Sequence, residues 1–178
     1  MVKDEIEVKY LLYENKINYT QKDFFNIYNS LTDLINEVNM YGKKITQGYL
    51  NKNFCMEICK ELNIDLNFRS AESRLRKKVN EYYFTIKGKG NIKRKELEKQ
   101  IDYELFDKYF KKTNGKRVEK LRLEKKYKNY IIEIDHYIDR DLIVAEIEVD
   151  NQTELDFVPK LGKDIKDDRM YKNRNLAK

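Results

Sequence analysis

The stretch Glu5-Ile6-Glu7-Val8-Lys9 near the start of the chain has the residue types of an ion-handling site. In an extended strand successive side chains point to opposite faces, so Glu5, Glu7 and Lys9 share one face while Ile6, Val8 and Tyr10 share the other. Two carboxylates flanking a lysine can hold a hard divalent cation and, beside it, an anion. The same alternation returns along the chain. Arg74 pairs with Arg76, Thr85 with Lys87, Lys120 with Arg122, Glu133 with Asp135 and Glu146 with Glu148, and Arg94, Glu96 and Glu98 form a triplet. The cations fall mainly on the middle strands and the carboxylate pairs on the first and last ones.

A half-buried sheet with its charged face in water would explain this pattern without chemistry, because one-sided solvation is the default for antiparallel sheets. Two features favour a second reading. Helical segments are interleaved with the strands, and their apolar sides need a surface that the apolar sheet face would supply. The charged face also divides its cations from its carboxylates. Closing such a sheet would line a lumen with cations and gather the carboxylates on one part of the wall. Dense cations call for a highly charged anion, and clustered carboxylates call for oxygen-ligated Mg²⁺ or Mn²⁺. A metal-bound polyphosphate satisfies both, and phosphoryl transfer asks of a protein mainly positioning and charge neutralisation. There is no Walker-type loop; Gly88-Lys89-Gly90 reads as a turn.

The elements that must position these residues are legible in outline. Strands are expected at about 3–13, 43–51, 74–79, 82–89, 92–101, 117–127, 130–138 and 142–150, eight in all and mostly joined by short turns. The expected turns are Asn80-Glu81, Gly88 with Gly90 and Asn91, Lys128-Asn129, and Asp139 to Asp141. Helical spacing predicts a helix from Thr20 to about Asn39, capped by Thr20 or Asp23 and ended by Gly42. Further helices are expected at about 53–63 and, capped by Asp102, at about 103–112. The fold class is therefore α+β, mainly β: an antiparallel meander with helices outside.

The chain has 178 residues, which favours one domain with a real core. Hydrophobic residues make up 40% and charged residues 38%, with one proline and six glycines, so no proline- or glycine-rich linker divides it. No apolar run approaches a membrane span and Met1 is followed by charges, so a cytoplasmic protein without a membrane partner is expected. The net charge of +6 agrees with a polyanionic partner but does not single one out. Cys55 and Cys59, four residues apart, have no companions for a zinc site and read as core thiols, and the single histidine, His136, lies opposite Glu133 and Asp135.

The ordered set of motifs resembles the CYTH superfamily, the triphosphate tunnel metalloenzymes. Glu5-Ile6-Glu7-Val8-Lys9 matches its ExExK signature. Gln47-Gly48-Tyr49-Leu50, Arg74-Leu75-Arg76, Phe84-Thr85-Ile86-Lys87-Gly88, Arg94-Lys95-Glu96-Leu97-Glu98, Lys120-Leu121-Arg122, Glu133-Ile134-Asp135 and Val144-Ala145-Glu146-Ile147-Glu148 follow in order. The tail from Leu161 to Asn173 is similar to that of small bacterial, tripolyphosphatase-like members. Segments 20–39 and 52–70 are longer than is usual there and carry no transferred function.

The resemblance implies an eight-stranded closed antiparallel barrel forming a tunnel, over one domain spanning residues 1–178. It implies that Lys9, Arg74, Arg76, Lys87, Arg94, Lys120 and Arg122 grip phosphates. Glu5, Glu7, Glu146 and Glu148 would hold metal with Asp135, and Glu133 is a further candidate. Glu7, Lys9, Lys87, Glu96 and Glu98 are the catalytic candidates, with Glu96 and Glu98 either positioning water or pairing with the cations. The implied activity is hydrolysis of inorganic triphosphate with Mg²⁺ or Mn²⁺ at a two-metal site, or of another triphosphate-bearing small molecule. A class IV-type adenylate cyclase is the second enzyme reading. A non-catalytic polyphosphate or nucleic-acid binding module is the third, and the carboxylate pairs argue against it. Monomer and homodimer are equally compatible with the sequence.

Overall fold

Alternation of apolar and charged residues makes strands wherever one face can be covered, and here it does so repeatedly. The computed structural model describes residues 1–90 and 93–178. Its strands are β1 (Val2–Glu14), β2 (Ile17–Asn18), β3 (Lys43–Tyr49), β4 (Ser70–Lys78), β5 (Glu81–Gly88), β6 (Lys93–Ile101), β7 (Arg117–Tyr127), β8 (Tyr130–Tyr137), β9 (Leu142–Glu148) and β10 (Lys163–Asp164). The helices are α1 (Leu31–Tyr41), α2 (Lys52–Glu61), α3 (Tyr103–Phe110) and α4 (Asn173–Leu176). The strand order is β10-β1-β6-β5-β4-β3-β7-β8-β9, and β1 pairs in addition with β9. Among the described residues the order thus returns to its starting strand, which is the topology of a closed antiparallel barrel. Eight strands carry it, and the two-residue strands β2 and β10 attach to β1.

The chain divides into two compact units. The first comprises Met1–Asp4, Thr46–Val118 and Arg169–Lys178; the second comprises Glu5–Ile45 and Glu119–Asp168. In the first, α2 and α3 lie on the apolar face of β4 and β5, burying Cys55, Ile58, Leu75, Phe84, Ile86 and Phe106 in one core. Both helices are capped as their sequences require: Asn51 accepts from the Phe54 N–H and Asp102 from the Leu105 N–H. Gly48 lets Thr113 approach, since a Cβ there would meet the Thr113 hydroxyl at 2.2 Å. In the second unit the apolar faces of β1, β8 and β9 bury Val8, Ile134, Ile143 and Ile147, while Leu34 and Val38 of α1 are fully enclosed.

Two expectations are corrected. The helix predicted from Thr20 to Asn39 is a 3₁₀ turn at Lys22–Asn26 followed by α1. Neither expected cap is available, because the Thr20 hydroxyl donates to Asn18 and Asp23 accepts the Lys160 N–H. Ser30, in extended conformation, caps α1 instead by accepting from the Asp33 N–H, and the Gly42 N–H closes the helix on Val38. The β4–β5 turn is Val79-Asn80 rather than Asn80-Glu81, with Lys78 opposite Glu81. Asn91, expected in the next turn, and Ile92, expected to open the next strand, lie outside the described residues.

Val79 holds a left-handed φ of 56°, a region that disfavours β-branched side chains. Val79→Asn is therefore expected to stabilise the protein by about 1 kcal/mol, since asparagine tolerates this region. Denaturant unfolding of the two proteins checks this, and an unchanged or lower midpoint would contradict it.

Candidate functional site

The two units each carry a charged strand face. In the second unit, antiparallel pairing sets Glu7 opposite Glu148, Lys9 opposite Glu146, Glu146 opposite Glu133 and Asp135 opposite Arg122. These residues therefore share one face, as their spacing predicts. The middle of that face is an ion-pair network. Glu146 accepts from Lys9 at 2.8 Å and from Arg122 at 2.9 Å. Asp135, fully buried, accepts from both ends of the Arg122 guanidinium at 2.6 Å and also from Lys120. Glu133 pairs with the remaining Arg122 nitrogen.

Burial opposes every charge in this network, and the balance of neighbours decides each outcome. For Glu146, burial pushes the pKa up, but Lys9, Arg122 and Lys120 hold it well below the ordinary carboxylate value. Asp135 is likewise held low by Arg122 and Lys120 against its burial. Glu133 is raised, because burial together with Glu146 and Asp135 outweighs Arg122. Lys9 is raised despite burial by Glu146, Glu7 and Asp135. Lys120 is pushed down to about 7 by burial and the adjacent Arg122 charge.

Glu7 and Glu148 sit directly across from one another beside this network, with Glu148 exposed and Glu7 half-buried. Like charges directly opposite on neighbouring strands repel, and an all-oxygen donor pair suits a hard cation. Among the described residues no group of three or more His, Cys, Asp or Glu side chains is placed to hold a metal by itself. Mg²⁺ is commonly bound by only one or two carboxylates together with water and substrate phosphate oxygens, so the Glu7–Glu148 pair fits such an ion. Glu5 is buried one alternation before Glu7.

In the first unit the charged face belongs to β4, β5 and β6. Arg74 lies opposite Thr85, Thr85 opposite Glu98 and Lys87 opposite Glu96. Lys87 pairs with Glu96 at 2.8 Å, with both side chains no more than 7% exposed. Glu98, 34% exposed, lies 3.6 Å from Arg76 and accepts from the Thr85 hydroxyl at 2.8 Å. Partial burial works to raise the Glu98 carboxyl, but Arg76, the Thr85 hydroxyl, Arg74 and Lys87 hold it below the ordinary value. Of the two roles open to Glu96 and Glu98, both side chains are engaged with cations here. Arg94 is half-buried on the same strand as Glu96 and Glu98, and Lys3 approaches Glu96 at 3.9 Å.

Two residues of these faces carried no role in the sequence reading. Thr85 was placed beside Lys87 by alternation, yet nothing in its type announces the bond to Glu98. Tyr137 continues the period of Glu133 and Asp135, is 1% exposed, and holds the Lys120 ammonium 5.8 Å from its ring centre. His136, facing the other way between Leu121 and Ile143, is half-buried and its pKa is lowered by that burial. Cys55 and Cys59 are free, buried thiols, as expected.

The chain is 34% identical over 114 residues to an inorganic triphosphatase of Nitrosomonas europaea, covering 61% of this chain and 76% of the relative. The chain belongs to the family of that triphosphatase. The crystal structure of the inorganic triphosphatase NE1496 matches with a TM-score of 0.53 and 25% identity, over 97% of this chain and 93% of the other. A Bacillus halodurans protein assigned provisionally to the adenylate cyclases shares the fold, with a TM-score of 0.53 at 14% identity over 88% and 86% of the two chains. No protein-family model matches the chain.

Asp135 anchors the second unit's network, so removing its charge would leave Lys120 and Arg122 under-compensated in a buried site. Asp135→Asn is expected to cost about 3–5 kcal/mol in denaturant unfolding; a loss under about 1 kcal/mol would show the network to be well solvated. The depressed carboxylates also set an acid limit. Asp135, Glu146 and Glu98 are held below their ordinary values of 3.8 and 4.5, so they add stability above those values. That contribution is lost as pH falls through the lower folded values. Stability measured in chelator should therefore decline from about pH 4.5 downward, and a flat profile to pH 2 would contradict the network.

Proposed function

We propose that the chain is a single CYTH, or triphosphate tunnel, domain of the cytoplasm that hydrolyses inorganic triphosphate. The observation that carries this reading is the set of buried cations on alternating strand faces, Lys9, Arg74, Lys87, Lys120 and Arg122, each under 9% exposed. In the free protein carboxylates balance most of these cations; a polyanion would exchange for those partners, and in a chain related to an inorganic triphosphatase that polyanion is triphosphate. Arg74, Arg76, Lys87 and Arg94 of the first unit and Lys9, Lys120 and Arg122 of the second would bind phosphate oxygens through charge-assisted hydrogen bonds.

Mg²⁺ or Mn²⁺ would be held by Glu7 and Glu148, with Glu5, Glu146, Asp135 and Glu133 as additional donors, and would supply charge neutralisation and a lowered pKa for water. The protein's own residues account for the rest. The cations orient the chain of phosphates and stabilise charge developing on the leaving phosphate. Glu96 and Glu98 hold Lys87 and Arg76 in place, and Thr85 holds Glu98.

Phosphate release from tripolyphosphate, ATP, thiamine triphosphate and pyrophosphate with Mg²⁺ or Mn²⁺, run beside a cyclic-AMP assay, tests the reading. Tripolyphosphate should be the preferred substrate, and its turnover should vanish with chelator. Cyclic AMP as the main product would replace hydrolysis by cyclisation. Glu7→Gln and Glu148→Gln should each lower turnover by roughly a hundredfold or more while leaving tripolyphosphate affinity in place. Near-normal turnover in either would remove that carboxylate from the metal site. Lys77 is exposed on the other face of β4, so Lys77→Ala should not change affinity. Arg76→Ala should weaken it roughly tenfold or more. Equal effects would contradict the strand register.

A further inference from the structure

The first unit contains a cavity of 1220 Å³ formed by α2, the segment after it and the start of β4. That exceeds the roughly 300–1,000 Å³ usual for small-molecule sites. About half of its lining comes from residues 52–70, to which the triphosphatase resemblance assigns no role, and the rest from the residues flanking that segment with Lys116, Arg174 and Asn175. Met56, Ile64 and Leu66 give it an accessible apolar wall, with Leu50, Cys55 and Cys59 buried behind them. Ile64 and Leu66 come from an irregular stretch in which alternate residues, Leu62, Ile64, Leu66 and Phe68, pack on the core of this unit. Met56, unbranched and flexible, can adapt its shape to a chain lying against it.

The ionisable lining is unbalanced. Lys52, Lys60, Arg69, Lys116 and Arg174 face the cavity against two acids, Asp65 and Glu72. Among the described residues, none of Lys52, Lys60, Arg69 and Lys116 is in an ion pair, and Arg174 donates to the Ala71 carbonyl at 2.8 Å. The cations thus favour an anionic head group and the lining favours an apolar body. A nucleotide fits poorly: the single aromatic in the lining, Tyr49, is 3% exposed, so it offers no open face for a base.

We propose that this cavity binds a single-chain anionic amphiphile, its aliphatic tail along α2 and its carboxylate or phosphate head among Lys60, Arg69 and Lys116. Cys55 and Cys59, one helical turn apart, are buried residues at the wall along which the tail would run. The site is independent of triphosphate hydrolysis, and its variants should leave phosphate release unchanged.

Equilibrium dialysis of the full chain with laurate, and in parallel with dodecyl phosphate, each below its micelle-forming concentration, tests the proposal. One saturable site is expected, with 1-dodecanol bound roughly tenfold or more weakly because it lacks the charge. The double variant Arg69→Glu, Lys116→Glu should weaken the anion by at least about tenfold. Met56→Asp, at a position already 50% exposed and so compatible with folding, should do so by placing an anion against the tail. The stronger-bound of the two anions identifies the head group. The proposal is overturned by an absence of saturable binding, by equal binding of the alcohol, or by folded variants that bind as well as the parent. It is equally overturned if binding occurs only to anionic vesicles, which would mark a membrane surface instead.

Discussion

Buried charge is the constraint on which the rest of this structure depends. Lys9, Arg74, Lys87, Lys120, Arg122, Glu5, Glu96, Asp135 and Glu146 are all under 9% exposed. Each such group loses several kcal/mol of hydration unless partners replace it. The strand registers supply those partners within each unit: Lys9 faces Glu146, Arg122 faces Asp135, and Lys87 faces Glu96. The apolar faces of the same strands are covered by α1, α2 and α3, which is why the charged faces can be so dense without the sheet losing its core. Fold and charge pattern are one problem here, since a one-residue slip in any of these strands would exchange its charged face for its apolar one.

The ion pairs are also what makes the faces chemically useful. On the proposed reading, a cation held by a carboxylate would be positioned before a ligand arrives. In the second unit Arg122 contacts three carboxylates, Glu133, Asp135 and Glu146. A polyanion would compete with them for that guanidinium, and carboxylates released from it would be repelled by the incoming charge unless a cation accompanied it. Metal and polyphosphate are therefore expected to enter as a pair, each relieving the repulsion the other creates.

Much of this was legible in the sequence because period-two alternation is a direct readout of strand faces. It put Glu7 with Lys9, Thr85 with Lys87, and Glu133 with Asp135 correctly, and it placed His136 on the other side. What it could not read were features set by tertiary partners. The break between the Lys22–Asn26 turn and α1 is one of these: Asp23 is held by the Lys160 amide and Ser30, in extended conformation, caps a separate helix. The Val79-Asn80 turn contradicts residue preference, because Asn80-Glu81 is the better turn by composition and only the ladder between Lys78 and Glu81 fixes the position. Periodicity shows which carboxylates share a face, but not that Glu146 and Asp135 are gripped by lysine and arginine while Glu7 faces Glu148. Those distinctions come from register between strands, within the β7–β8 hairpin for Asp135 and between β1 and the distant β9 for Glu7, Glu148 and Glu146.

Coupling between metal and polyanion is the central claim, and linkage to stability measures it without turnover. Denaturant unfolding would be followed with Mg²⁺ alone, with a non-hydrolysable triphosphate analogue alone, and with both, since any ligand of the native state raises its stability by mass action. The two together should raise stability by more than the sum of their separate effects, beyond what their association in free solution accounts for. Strictly additive gains, or stabilisation by the analogue that Mg²⁺ leaves unchanged, would contradict it.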